Sequence, residues 1–312
     1  MHFPAVDAFR GGKGLIRVVG HRGARGILPE NSMIGFEFAM NTGAALLEFD
    51  VVMTADRVPV ITHNTSLHAP TFRGSDGQFI KGEEPKVASL TWAEVQAFDI
   101  GRIDGATDYG KRFPDQAQLD GIRVPRLQEL LDCIMRDAFS HAHLMLELKS
   151  DPDFAEDADY RSEMVSTVVS MLRAGGLENR VLLHSFDWNL LAECQRQAPD
   201  IAASFLTQLP ENEDEVGEES AKSISPNFQG KSAQIPDMVH AAGGRLWCPY
   251  VYDVTEAAVA RAKHLDLGIA VWTVNEPADI GRMIDLQVDA IVTDYPGRVQ
   301  RQLADCGIRW LG

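Results

Sequence analysis

Short apolar and β-branched runs alternate with helical patterns along most of the 312 residues. The runs predict strands at 16–19 (IRVV), 45–52, 58–63, 143–149, 180–186, 201–206, 244–250, 268–274 and 289–294. Several are apolar without alternation, as in strands covered by helices on both faces. Between them, Met33, Phe36 and Met40 share a helix face after an N-cap at Asn31 or Ser32, with Gly43 as a stop. Leu127, Leu130, Leu131 and Ile134 make a second stripe, and Met164, Val165, Val168, Val169 and Leu172 a third, ending at Gly175-Gly176. A helix opening near Pro277 carries Ile280, Met283 and Ile284. Repeated βα units of this length predict an α/β fold, a closed TIM-type (βα)8 barrel rather than an open sheet.

Nine strands for eight places require one irregularity. The gap between the second and third runs is far shorter than the dozen or so residues of a helical crossover. The TADR stretch, 54–57, therefore reads as a hairpin turn between strands two and three, and folding the chain about residues 55 and 56 sets His63 opposite Glu48. Residues 66–124 break the βα rhythm with turn-rich stretches and one short capped helix in SLTWAEVQAFDIG. They read as an insertion over the barrel mouth, within a single catalytic barrel domain spanning 1–312.

Composition narrows the function. A formal net charge of −16 repels nucleic acid and anionic membrane surfaces. An anionic substrate then needs a locally positive pocket or a bound cation. The acidic run 211–219 reads as a solvated loop. Cys133, Cys194, Cys248 and Cys306 are scattered without a CxxC pair, as expected of reduced thiols. With no secretory leader at the start and no apolar window of transmembrane length, a soluble cytoplasmic protein is expected. Nothing in the chain signals an oligomeric state.

Glu48 and Asp50 stand two apart in LLEFD and so share one face of a strand; Glu147 and Lys149 repeat the spacing in LMLELKS. Carboxylates in apolar strands are costly unless compensated. They read either as a salt-bridge network with Lys149 and Arg22 or as hard oxygen ligands for one divalent cation, Mg²⁺ or Ca²⁺. Both pairs, at the C-terminal ends of early strands, favour the metal. His21 and His63 each end a strand, and beside such a cluster they suit general acid and base catalysis. Arg22 then serves as a phosphate clamp and Lys149 as a point charge, a constellation suited to attack on a phosphodiester.

HRGARGILPENS, LLEFDVVMTADRVPVITHN, LMLELKS and VWTVNEPADIGRMIDLQVDAIVTDYPGRV, taken in this order, resemble the glycerophosphodiester phosphodiesterase family. The resemblance implies a TIM-type barrel and a divalent metal on Glu48, Asp50 and Glu147. It also implies catalysis by His21 and His63, and phosphate contacts from Arg22 and Lys149. Members release sn-glycerol 3-phosphate and an alcohol from deacylated phospholipids. Departures are Asn64 where Asp usually follows the histidine, Arg57 where Gly is common in the hairpin, Ser32 for Thr, and LHAPTFRG for a Leu-x-Arg-Thr stretch. None removes a ligand or a histidine.

Trp272 is a candidate wall for the substrate glycerol or else a core residue. Glu30 and Asn31 either orient His21 and Arg22 or, for Asn31, cap a helix; Phe186 is a candidate apolar contact, and His184 reads as a core histidine. His141 and His143 imitate a metal-binding HxH, but they precede their strand and belong at the opposite end of the barrel. Rival readings are a lysophospholipase-D-like enzyme on the same barrel and a non-catalytic phosphodiester-binding barrel. The first needs an exposed apolar entrance, and the second is disfavoured by the complete set of histidines and carboxylates. The expected partner is a small-molecule phosphodiester.

Overall fold

The computed structural model describes residues 2–210 and 226–310. Its strands are β1 (Arg17–His21), β2 (Leu46–Met53), β3 (Pro59–Ile61), β4 (His143–Leu148), β5 (Val181–Ser185), β6 (Ala203–Thr207), β7 (Leu246–Pro249), β8 (Gly268–Val271) and β9 (Ala290–Thr293). All but β3 pair in parallel and close into a ring, with β1 between β9 and β2. The fold is thus a TIM barrel. β3 lies outside the ring, antiparallel to the C-terminal end of β2, which resolves the surplus strand.

Each strand buries both faces. Val19, Leu46, Met145, Leu182, Ala270 and Val292 point into the barrel and form one cluster with Ala5, Val6 and Phe9 of α1 (Pro4–Phe9), which closes its N-terminal end. Leu47, Phe49, Leu144, Leu146 and Ile291 face outward onto the helices. Those are α2 (Met33–Asn41), α3 (Leu127–Ile134), α4 (Ala158–Ala174), α5 (Trp188–Gln197), α6 (Ile235–Ala241), α7 (Glu256–His264), α8 (Pro277–Leu286) and α9 (Pro296–Asp305). Burial on both sides explains the unbroken apolar runs. Ser32, not Asn31, caps α2, its hydroxyl accepting from the Gly35 N–H at 3.2 Å.

The hairpin corrects one expectation. Val51 faces Ile61 and Met53 faces Pro59, so the chain folds about residue 56. The Arg57 N–H donates to the Thr54 carbonyl at 3.0 Å and Arg57 takes a φ of +61°. This is a turn closed by one left-handed residue, a position that favours glycine. The extra residue shifts the register, so the Thr62 N–H meets the Asp50 carbonyl at 3.2 Å and His63 stands beyond the strand end instead of opposite Glu48. Arg57 is held over the Tyr160 ring at 5.2 Å and paired with Glu163 at 3.2 Å.

Residues 66–124 wrap the outer end of the hairpin. Leu67, Phe72, Val87, Val95, Ile100 and Val124 pack with Val52 and Val60 into a small separate core. The helical turn Trp92–Val95 has a reciprocal cap between Thr91 and Glu94. A further cluster of Ile103, Tyr109 and Phe113 carries Tyr109 to the barrel mouth. The acidic run 211–219 lies outside the described residues. Cys133, Cys194 and Cys248 are buried free thiols and Cys306 is exposed. No described helix is long and apolar enough to cross a membrane.

Candidate active site

The inward face of the barrel changes character along each strand. Val19 is followed two residues on by His21, Leu46 by Glu48 and Asp50, Met145 by Glu147 and Lys149, Leu182 by His184, and Val292 by Asp294. A period of two keeps all of them on one face. The apolar members fill the N-terminal half, and the polar members meet at the C-terminal mouth, where barrels of this class carry their chemistry.

Glu48, Asp50 and Glu147 are buried, and each offers a carboxylate oxygen within 4.8 Å of the other two. Lys149 Nζ sits 2.8 Å from Glu147 Oε1 and 3.2 Å from Asp50 Oδ1. Asn31 donates to Asp50 Oδ2 at 2.8 Å. Arg22 and Asn31 both take left-handed backbone conformations, with φ of +49° and +52°. This turn aims the Arg22 N–H at Glu48 Oε2, 3.2 Å away, while its guanidinium reaches Glu30 at 2.8 Å and Asp50 at 3.3 Å. Left-handed non-glycine residues are costly, and here two of them shape the edge of the site.

The two histidines have different partners. His21 Nδ1 donates to Asp294 Oδ1 at 2.7 Å, leaving Nε2 3.7 Å from Glu48. Asp294 is held in turn by Arg25 Nε at 2.8 Å and by the Asn275 amide at 2.6 Å. His63 Nδ1 instead lies 2.5 Å from the amide oxygen of its neighbour Asn64.

Burial and charge set the protonation. Burial, reinforced by Asp50 and Glu147, pushes Glu48 well up; burial takes Glu147 to about 7 against the pull of Lys149. Burial acts the same way on Asp50, but Lys149, His63 and Arg22 more than reverse it and hold that carboxyl far below its usual range. Lys149 is raised, its own burial outweighed by Glu147 and Asp50. Burial and then Arg25 lower His21, with Asp294 opposing. For Asp294, Arg25 and His21 overcome burial and keep it ionised. Around this centre Glu30, Glu48, Asp50, Glu147 and Asp294 face Arg22, Arg25 and Lys149, two more carboxylates than cations. A divalent ion would balance that excess.

The structure therefore gathers His21, Arg22, Glu48, Asp50, Glu147 and Lys149 at one point, with His63 bordering them through its charge interaction with Asp50. Trp272 directly follows the C-terminal end of β8, its N–H donating to the Cys248 carbonyl at 3.0 Å and its ring edge-on to Phe186 at 5.3 Å. His184 is a buried core histidine, its Nδ1 2.8 Å from the Ser204 hydroxyl, and burial drops it to about 3. His143 opens β4 at the N-terminal end, away from the site. Sequence reasoning missed Asp294, Arg25, Asn275 and Tyr109. Asp294 shares the parity of Ala290 and Val292, a usable signal; Tyr109, which bonds Glu30 and approaches Arg22 at 3.4 Å and Arg25 at 3.2 Å, has none.

Comparison with known proteins gives a consistent result. The model of the glycerophosphoryl diester phosphodiesterase family matches residues 21–298. A provisionally named glycerophosphoryl diester phosphodiesterase from Silicibacter pomeroyi is 50% identical, superposes with a TM-score of 0.90, and aligns over 99% of this chain and 100% of its own. A glycerophosphodiester phosphodiesterase of Bacillus subtilis is 24% identical over 90% of this chain and 84% of its own length. An Oleispira antarctica phosphodiesterase solved with its product sn-glycerol-3-phosphate shares the fold, with a TM-score of 0.68 and 20% identity over 94% of this chain and 98% of its own.

Proposed function

Because the chain belongs to the glycerophosphoryl diester phosphodiesterase family, we propose that it hydrolyses glycerophosphodiesters to sn-glycerol 3-phosphate and an alcohol. The observation that carries this reading is the buried trio Glu48, Asp50 and Glu147 in contact with His21 and bordered by His63. The trio fits a divalent ion, Mg²⁺ or Ca²⁺: the ligands are hard oxygens, Asp50 Oδ1 is buried with no hydrogen-bond partner beyond its ion pair to Lys149, and burial raises both Glu48 and Glu147. When bound, the ion would neutralise charge on the phosphate oxygens.

The chain's own groups do the rest. Arg22 and Lys149 lie beside the trio and would share their positive charge with the phosphate. The Trp272 ring would wall the glycerol. His21, kept neutral by burial and backed by the ionised Asp294, is suited to accept a proton from the attacking hydroxyl, either water or the glycerol 2-hydroxyl. His63, whose Nδ1 lies beside the Asn64 amide oxygen, is suited to protonate the departing alcohol. Residues 66–124 read as an insertion in one catalytic domain, bringing Tyr109 onto Glu30 and the two arginines.

The test is release of glycerol 3-phosphate from glycerophosphocholine, glycerophosphoethanolamine and glycerophosphoglycerol with Mg²⁺, with Ca²⁺ and with chelator. Metal-dependent release from any of them is expected. No release from all three, with metal demonstrably bound, overturns the reading.

A further inference from the structure

Beside His63, between the end of β3 and residues 66–124, lies a cleft that the roles above leave unused. Its walls include Glu30, His63, Asn64, His68, Thr71 and Arg102, over a floor containing Ile61 and Phe72. Its space is about 420 Å³ including the open mouth. The cleft borders the catalytic centre: Asn31, which also lines it, bonds Asp50, and Glu30 bonds Arg22.

We propose that this cleft is the subsite for the departing alcohol and that it selects head groups bearing hydroxyl or amino hydrogens over a trimethylammonium head group. The proposal rests on the phosphodiesterase reading, and specifically on proton delivery by His63: the oxygen that receives that proton leaves on the side where His63 forms a wall. What meets the alcohol there is mostly hydrogen-bonding. Glu30 is ionised because Arg22, Arg25 and Tyr109 outweigh its burial, and a carboxylate has more than two lone-pair directions to offer. The Asn64 amide both donates and accepts. The Thr71 hydroxyl, 3.2 Å from the His68 carbonyl, and the His68 ring, set edge-on to Tyr109 at 4.7 Å, complete the wall.

A hydroxyl or an ammonium can satisfy these groups. A trimethylammonium has no hydrogen to donate, so it would strip water from them and leave them unpaired, which is a strong basis for rejection. Phe72 is the one Phe, Tyr or Trp among the lining residues, and it lies in the floor, so no cage of such aromatic faces favours a quaternary cation. Apart from Glu30, His63 and Asn64, the walls named come from 66–124, which gives the segment a function in choosing the alcohol.

The test compares kcat/KM for the glycerol, ethanolamine and choline diesters in the unmodified protein and in Thr71→Val and His68→Gln, with thermal melts to show that each variant folds. In the unmodified protein the glycerol and ethanolamine diesters are expected to exceed the choline diester by about tenfold or more. Each variant should narrow that ratio severalfold, chiefly through loss on the two preferred substrates. Free ethanolamine should inhibit more strongly than free choline, and less so in the variants. A choline diester cleaved as well as the others, or variants that slow all three by one common factor, overturns the subsite while leaving the phosphodiesterase reading intact. If no diester is cleaved at all, the underlying reading fails and the subsite falls with it.

Discussion

The two sides of the reaction centre are built differently. On one side His21 is deep in the ring, where the first and last strands meet, and its Nδ1 is tied to a carboxylate fixed by Arg25 and Asn275. On the other side His63 follows a short strand outside the ring, borders an open cleft and has a neutral amide as its partner. A buried carboxylate stabilises an imidazolium and so favours proton acceptance; an amide fixes orientation without adding charge. The barrel thus ties a carboxylate to Nδ1 of one histidine, while the other has an amide at Nδ1 and interacts by charge with Asp50 and Glu30.

The largest effects should come from the histidines themselves. His21→Ala and His63→Ala should each lower kcat by about 10²–10⁴ with the melting temperature little changed. A near-normal rate in either removes that side from the mechanism. Asp294→Asn should cost on the order of 10² in kcat, because it keeps the shape but removes the charge beneath His21. Urea melts must accompany it, since Arg25 loses its buried counter-charge. Glu147→Gln should weaken metal binding by roughly tenfold or more in calorimetry, as ligand charge sets affinity. Unchanged affinity would reassign Glu147 to holding Lys149. Asn64→Ala should reduce kcat/KM about tenfold, and Asn64→Asp should restore most of it. Equal losses from Asp294→Asn and Asn64→Ala would erase the contrast between the two sides.

The smallest effect concerns pH in the absence of metal. Glu48 and Glu147 have raised values in the fold, so their contribution to stability is lost as pH rises through those values. His21 and His184 are lowered, so they act in the opposite sense, gaining stability up to the unfolded histidine value of about 6.5. The two effects offset below that point, and above it only the carboxyls still titrate. With chelator, stability to urea should therefore fall as pH rises from 6.5 through about 7, where Glu147 gives up its proton, and added Mg²⁺ should abolish the fall. A flat profile with chelator would mean that the carboxylates tolerate one another without an ion.

Much of this centre was legible in the sequence because strand parity is local. Once LLEFD and LMLELK are read as strands, Glu48, Asp50, Glu147 and Lys149 must point the same way as the buried Leu46 and Met145. The hairpin was legible as a turn but not in register, because Arg57 in a left-handed conformation is not a choice its residue type advertises. Asp294 could have been found by carrying the same parity along DAIVTD. Tyr109 could not, because no periodicity links a helical turn in a turn-rich stretch to the turn before α2, 79 positions earlier at Glu30.

The sequence by itself determined the alternation of strands and helices, the inward face of each strand and the chemical types gathered there. These follow from backbone geometry and from burial, which act over a few residues. Only the tertiary structure decided that Asp294 sits under His21 across 273 positions, that Ser32 rather than Asn31 caps α2, and that Asn31 is free to hold Asp50. It also decided that a cleft opens beside His63. Such pairings arise when the ring closes and separate packed segments meet, so they depend on the summed shape of many side chains and on no local preference.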